Sequence, residues 1–140
     1  VIRAVDFIKM SSKNTIQFKS KNENYFLNID EEQMYRVFIN LIKNSEESFL
    51  EKKANNPHFK GIIDIEIDKN NDYIFIRFVD NGTGITDTKK VMTPYFTTKK
   101  TGTGLGLAIV SKIINEHSGD LNITNNKPEG VTITISLPSL

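Results

Sequence analysis

The chain contains no cysteine, which excludes a disulfide framework, a thiolate nucleophile and any cysteine-held metal. It has two histidines, His58 and His117. Neither has an acid or a nucleophile at useful spacing, so no Ser-His-Asp set or His-x-x-x-His metal pair exists, and both are expected to be structural. No stretch approaches the ~20 apolar residues of a membrane span, and no signal peptide is visible. An excess of one charge is also missing. Lys and Arg number 18 against 17 Asp and Glu, which gives no general attraction to nucleic acid or anionic lipid. What is present suits one ordinary globular domain: 140 residues, 38% hydrophobic and 25% charged, are enough to bury a normal core. The first residue is Val1 rather than Met, and the expectation is a piece of something longer.

Periodicity places the elements. Val1, Val5 and Ile8 fall at helical spacing, so residues 1–12 read as a linker or the tail of an upstream helix, set apart from a domain at 13–140. Residues 16–18 and 25–29 alternate as two strands split by a polar turn. Asp30 is a candidate N-cap with Glu31 and Glu32 in the first turn behind it. The helix then runs to about Lys53 with Met34, Phe38, Leu41, Ser45 and Phe49 inward and Val37 and Ile42 on the flanks. Asn55-Asn56-Pro57 ends it. Ile63, Ile65 and Ile67, then Ile74, Ile76 and Phe78, predict a hairpin that delivers Asp80 at its end. A second helix is expected over residues 105–117 with Leu105, Ala108, Ile109 and Ile113 inward, closed by Gly119. Leu121 and Ile123, then Val131, Ile133, Ile135 and Leu137, form a last hairpin. Strands joined by short turns, with helices segregated on one face, give an α+β class: a two-layer α/β sandwich on a mixed, mostly antiparallel sheet.

Five of the eight glycines fall in two clusters, Asp80-Asn81-Gly82-Thr83-Gly84 and Gly102-Thr103-Gly104-Leu105-Gly106. Such density means a backbone that approaches something closely, or φ values other residues avoid. Between them lies Pro94-Tyr95-Phe96-Thr97-Thr98-Lys99, in a polar connection without apolar periodicity, read as a flexible lid over a nucleotide. The second cluster opens a helix, where free N–H groups and bare backbone suit phosphate. It is neither a P-loop, since no Gly-Lys-Ser/Thr follows, nor a Rossmann fingerprint, since no strand precedes it.

Asn40 and Asn44 stand one helical turn apart and share a face. An amide oxygen is a suitable hard ligand for Mg2+ that already carries phosphate oxygens; hydrogen bonding to neighbouring loops is the simpler alternative. Asp80 ends an apolar strand, where a carboxylate asks for a donor such as the exocyclic amine of adenine; a turn aspartate before Asn-Gly is the plain alternative. Lys89, Lys90, Lys99 and Lys100 could meet a triphosphate as point charges, Lys99 first among them.

In order and spacing these residues resemble the GHKL ATPases, from about residue 15 to 138. Asn40-Leu41-Ile42-Lys43-Asn44-Ser45 is similar to their N box, and residues 80–84 to their first glycine box. Pro94-Tyr95-Phe96-Thr97-Thr98-Lys99 resembles the F box of sensor histidine kinases, most like the nitrogen-regulation class. Residues 102–110 resemble the second glycine box, and Gly130-Val131-Thr132 the closing strand.

The resemblance implies the ATP-binding catalytic domain of a two-component sensor histidine kinase with the Bergerat-type sandwich. Asp80 would accept from the adenine amine, Gly84 lie close to the ring and Thr132 help through water. Asn44 would coordinate Mg2+ with Asn40 beside the phosphates. The full nucleotide-binding set implied is Asn44, Asp80, Gly82, Gly84, Ile85, Phe96, Thr98, Lys99, Gly102, Thr103, Gly104, Leu105, Gly106 and Thr132, with Asn40, Asn44 and Lys99 catalytic. The hydrolytic members keep a glutamate four residues before the metal Asn; here Asn40 stands there and cannot act as a base, which favours transfer to a protein side chain. Glu47 occupies a position that is basic in many members. The implied partners are ATP or ADP, a histidine-containing dimerisation domain not seen in this chain, and a response regulator. The expected location is cytoplasmic, free or as the cytoplasmic part of a membrane-anchored sensor. The isolated domain is expected to be monomeric within a homodimeric whole, and not to phosphorylate itself. A serine kinase of the anti-sigma type and a partner-binding module without kinase activity are the alternatives.

Overall fold

A computed structural model of the protein describes residues 15–20, 27–84, 106–126 and 129–139. The elements in chain order are β1 (Thr15–Ser20), α1 (Glu31–Asn55), β2 (Ile62–Lys69), β3 (Tyr73–Asp80), α2 (Gly106–Glu116), β4 (Asp120–Asn125) and β5 (Val131–Pro138). The strands form one sheet in the order β1-β2-β3-β5-β4. Among the described residues only the β1–β2 pair is parallel; the other three ladders are antiparallel.

Register explains why one face is buried. Ile65 lies opposite Phe78 and Ile67 opposite Ile76; Phe78 lies opposite Ile133 and Ile76 opposite Ile135. The apolar half of each alternating strand therefore falls on one side, and the core gathers there. Asp64, Glu66 and Arg77 take the other side, where Arg77 Nη1 sits 3.2 Å from Glu66 Oε2. That exposed cross-strand pair is worth little, about 0–1 kcal/mol.

Helix α1 starts as its sequence dictates. Asp30 is extended (φ −83°, ψ 114°), and its side chain accepts from the Gln33 N–H. Glu31 and Glu32 in the first turn and Lys52 and Lys53 in the last complement the helix dipole. The stripe Met34, Phe38, Leu41, Ser45 and Phe49 is buried, together with Val37, Ile42 and, unforeseen, Ser48. The Asp30 N–H also donates to His117 Nε2 (3.0 Å). Nδ1 of that ring then carries the proton and donates to the Ile113 carbonyl at 2.8 Å. His117 thus pins the start of α1 to the end of α2, a structural role.

Three expectations change. Residues 27–30 form no strand: Leu27 and Ile29 are half-buried against the core as the lead-in to α1, so their alternation reflects packing without a ladder. β1 pairs instead with β2, in parallel, because the 25-residue α1 supplies the long crossover that a parallel pair needs. In α2 the buried residues are Leu107, Val110, Ile113 and Ile114, with Ile109 only partly buried and Ala108 half-buried; Leu105 lies outside the described residues. Leu107, Val110, Ile113 and Ile114 keep helical spacing and join the core; the apolar run 107–110 offers more than one stripe, and packing selects this one. The left-handed residue that closes α2 is Ser118 (φ 59°). Gly119 follows it, buried, with its N–H on the Ile114 carbonyl; a Cβ there would lie 2.5 Å from the Ser136 carbonyl oxygen.

Candidate functional site

The site gathers at the end of β3, between α1 and the β4–β5 turn. The Asp80 side chain has three donors. Oδ2 accepts from the Ser45 hydroxyl at 2.7 Å; Oδ1 accepts from the Gly82 N–H at 3.0 Å and the Val131 N–H at 3.2 Å. Its main-chain carbonyl accepts from Asn126 Nδ2 at 3.1 Å. A carboxylate at the end of an apolar strand is therefore compensated by the fold itself. Gly130 makes this closeness possible: its φ is +109°, and a Cβ on it would collide with the Asp80 carbonyl.

Helix α1 grips the whole 80–83 segment along one edge. Besides Ser45, the buried Ser48 hydroxyl accepts from the Thr83 N–H at 2.7 Å, and Lys52 Nζ donates to the Asn81 carbonyl at 3.0 Å. Residues at i, i+3 and i+7 share a helix face, so one edge of α1 meets three residues of the segment. Lys52 also pairs with Glu129 at 2.7 Å and lies 4.6 Å above the Phe59 ring. From the other side, the Asn81 side chain accepts from the Ile62 N–H at 2.8 Å and donates to the Lys60 carbonyl at 3.1 Å.

The other end of the site lies where α1 faces the start of α2. A side chain at Gly106 would put its Cβ 3.5 Å from Asn44 Oδ1 and 3.7 Å from Asn40 Oδ1. Two carboxamides thus converge on Gly106, the first described residue of α2. Asn40 Nδ2 donates to the Arg36 carbonyl at 2.9 Å, which leaves its oxygen on the Gly106 side. At Gly84 (φ +85°) a Cβ would lie 3.3 Å from Asn125 Oδ1 and 3.6 Å from the Gly130 carbonyl.

The structure therefore brings together Asp80, Gly82, Gly84 and the neighbourhood of Thr132 at one end, and Asn40, Asn44 and Gly106 at the other. Thr132 itself pairs with Val79 in the ladder and so lies on the side of the sheet away from the helices. Its hydroxyl donates to Asn126 Oδ1, and it reaches Asp80 only through that amide. Ile85, Phe96, Thr98, Lys99, Gly102, Thr103, Gly104 and Leu105 lie outside the described residues.

A model of the family described as histidine kinase-, DNA gyrase B- and HSP90-like ATPases matches residues 29–140. The chain belongs to this family. Among its curated relatives are sporulation kinase B of Bacillus subtilis, 38% identical over 112 residues covering 79% of this chain and 24% of that protein, and a putative NtrY-like sensor histidine kinase of Rickettsia conorii, 38% identical over 121 residues covering 85% and 19%. The chain thus spans about a quarter or less of the length of these relatives. The nucleotide-free catalytic domain of histidine kinase ThkA superposes with a TM-score of 0.81 at 26% identity, covering 98% of this chain and 90% of that one. Fold and relatives together make this GHKL ATPase the ATP-binding catalytic domain of the sensor histidine kinase type. The anti-sigma serine kinase alternative has no counterpart among these relatives.

Sequence reasoning missed Ser48, Lys52, Asn81 and Asn126 in this ATPase domain. A signal for Ser48 was present: a second serine three residues after Ser45, on the same edge of an otherwise apolar stripe. Nothing local marks Asn126 or Lys52, whose partners are 46 and 29 residues away.

Proposed function

We propose that this domain binds ATP with Mg2+ and transfers the γ-phosphoryl group to a histidine on a separate dimerisation domain, for relay to a response regulator in the cytoplasm. The observation that carries the reading is the pairing of a clamped carboxylate at Asp80 with two carboxamides that converge on Gly106. The first suits the exocyclic amine of adenine and the second suits its phosphates.

The donor set fits magnesium. Among the described residues no group of three or more His, Cys, Asp or Glu could hold a metal ion. A lone carboxamide pair matches an ion that arrives with phosphate oxygens and keeps its own water. Asn44 would hold it, with Asn40 beside it. When bound, the ion neutralises charge on the phosphates.

The chain's own residues do the rest by positioning, as phosphoryl transfer requires. Asp80 fixes the purine, the start of α2 receives the phosphate chain, and Gly102, Gly104, Lys99 and Phe96 are assigned to its cover. The acceptor imidazole nitrogen forms a bond to Pγ as the Pγ–O bond to ADP breaks, and the imidazole proton leaves to solvent. Asn40 cannot deprotonate water, so hydrolysis is not favoured over this transfer.

Mixing this chain with a separately produced histidine-bearing dimerisation domain and γ-labelled ATP tests the reading. Acid-labile label is expected on the added domain and none on this chain. Nucleotide consumption without label on any protein would show an ATPase and overturn the kinase reading. Among the described residues no helix is long and apolar enough to cross a membrane.

A further inference from the structure

The hydrogen bonds around Asp80 leave a defined remainder. A carboxylate offers about four acceptor sites. Two on Oδ1 are taken by the Gly82 and Val131 N–H groups, and one on Oδ2 by the Ser45 hydroxyl. Among the described residues one acceptor site on Oδ2 is left, beside the Ser45 oxygen. A serine hydroxyl has a single proton, and a carboxylate oxygen can only accept, so the Ser45 proton is committed to Asp80. What Ser45 Oγ then offers its surroundings is lone pairs. Side by side, Asp80 Oδ2 and Ser45 Oγ make an edge composed of acceptors.

We propose that Ser45 is a positioning and specificity-determining residue, which orients the free acceptor of Asp80 and makes this edge select a 6-amino purine over a 6-oxo or unsubstituted one. The proposal rests on the reading of Asp80 as the acceptor for the purine amine. Two physical points support it. The last torsion of an aspartate is broad and not fixed by its own rotamer preference; the two backbone donors on Oδ1 and the Ser45 hydroxyl on Oδ2 fix the carboxylate plane together, and Ser45 is the partner on the oxygen that keeps an open acceptor site. An edge of acceptors welcomes N–H groups and rejects a carbonyl, because an oxygen placed there leaves acceptors facing each other without a proton. Ser45 is 7% exposed, so little water competes for the bond. It also follows Asn44 directly, which ties the purine end of the site to the helix turn that bears the carboxamides.

The test is isothermal titration of this chain, and of Ser45→Ala and Ser45→Cys, with ATP, with purine riboside triphosphate (hydrogen at C6) and with inosine triphosphate. The unaltered chain is expected to bind ATP about tenfold or more tightly than either analogue, the equivalent of one good hydrogen bond to a charged group. Ser45→Ala should weaken ATP by about fivefold and purine riboside triphosphate by less than about twofold, so that the ratio collapses. Ser45→Cys, with its weaker donor, should fall between. It reads the same ratio should the alanine variant melt below the assay temperature. Equal weakening of both nucleotides by either variant would make Ser45 a merely structural residue and overturn the proposal. If the unaltered chain binds ATP and the C6-hydrogen analogue equally well, the Asp80–amine reading itself is wrong and the role of Ser45 falls with it.

Discussion

At the Asp80 end of the site, the segment 80–83 is fastened by side chains of α1 and by backbone donors from β2 and β5. At the Asn40–Asn44 end, two carboxamides of one helix face Gly106 of another. The Asp80 end is thus part of what holds the fold together, because its polar groups replace water for one another in a part-buried place. The Asn40–Asn44 end is half-buried on elements that the core already fixes. Binding and stability should therefore fail together at the first end and separately at the second.

The strongest challenge to this contrast is Gly130→Ala. It forces a side chain to φ +109° and into the Asp80 carbonyl, and should cost about 3 kcal/mol of stability in urea titrations. An unchanged midpoint would mean the Asp80 end is not structural. Asp80→Ala comes next, with an expected loss of about 1–3 kcal/mol of ATP binding, or about ten- to hundredfold, by calorimetry. Its melting temperature should drop as well, since the Ser45, Gly82 and Val131 donors lose their acceptor. Asn44→Ala sharpens the contrast from the other side: ATP affinity should fall about tenfold in Mg2+ and hardly change when the metal is chelated. Its melting temperature should fall by less than that of Asp80→Ala, and an equal or larger drop would erase the distinction between the two ends. The smallest effect is expected at Ser118→Gly, which relieves a left-handed φ of 59° at the end of α2. It should raise stability by about 1 kcal/mol and leave ATP affinity alone, which separates a general gain in stability from one at the site.

Legibility followed the range of the interactions. The Asp30 cap with its two glutamates, the alternation in β2, β3 and β5, and the inward stripe of α1 are set by residues within a few positions of one another, and each appears in the structure where periodicity put it. The candidate site was half legible. Asn40, Asn44, Asp80 and the glycines stood out because their residue types are unsuited to an apolar helix or strand end without a reason. Ser48, Lys52 and Asn126 did not, since a serine, a lysine and an asparagine at such places are commonplace until their distant partners are known. Thr132 shows the converse: its position after Gly130 is legible, whereas the side of the sheet it takes follows from register with Val79.

By itself, the sequence determined the periods, the caps, the places of the glycine-rich turns and the family they resemble, since each depends on neighbours along the chain. Tertiary structure alone decided that β1 pairs in parallel with β2 across α1, that residues 27–30 stay outside the sheet, and which of the apolar stripes open to α2 is buried. It also decided that the Asp80 carboxylate is held by a serine 35 residues earlier and an amide 51 residues later. The physical reason is one of distance: a hydrogen bond or a packed face needs its partner within a few ångströms in space, and nothing in local periodicity specifies which remote residue the fold will bring there.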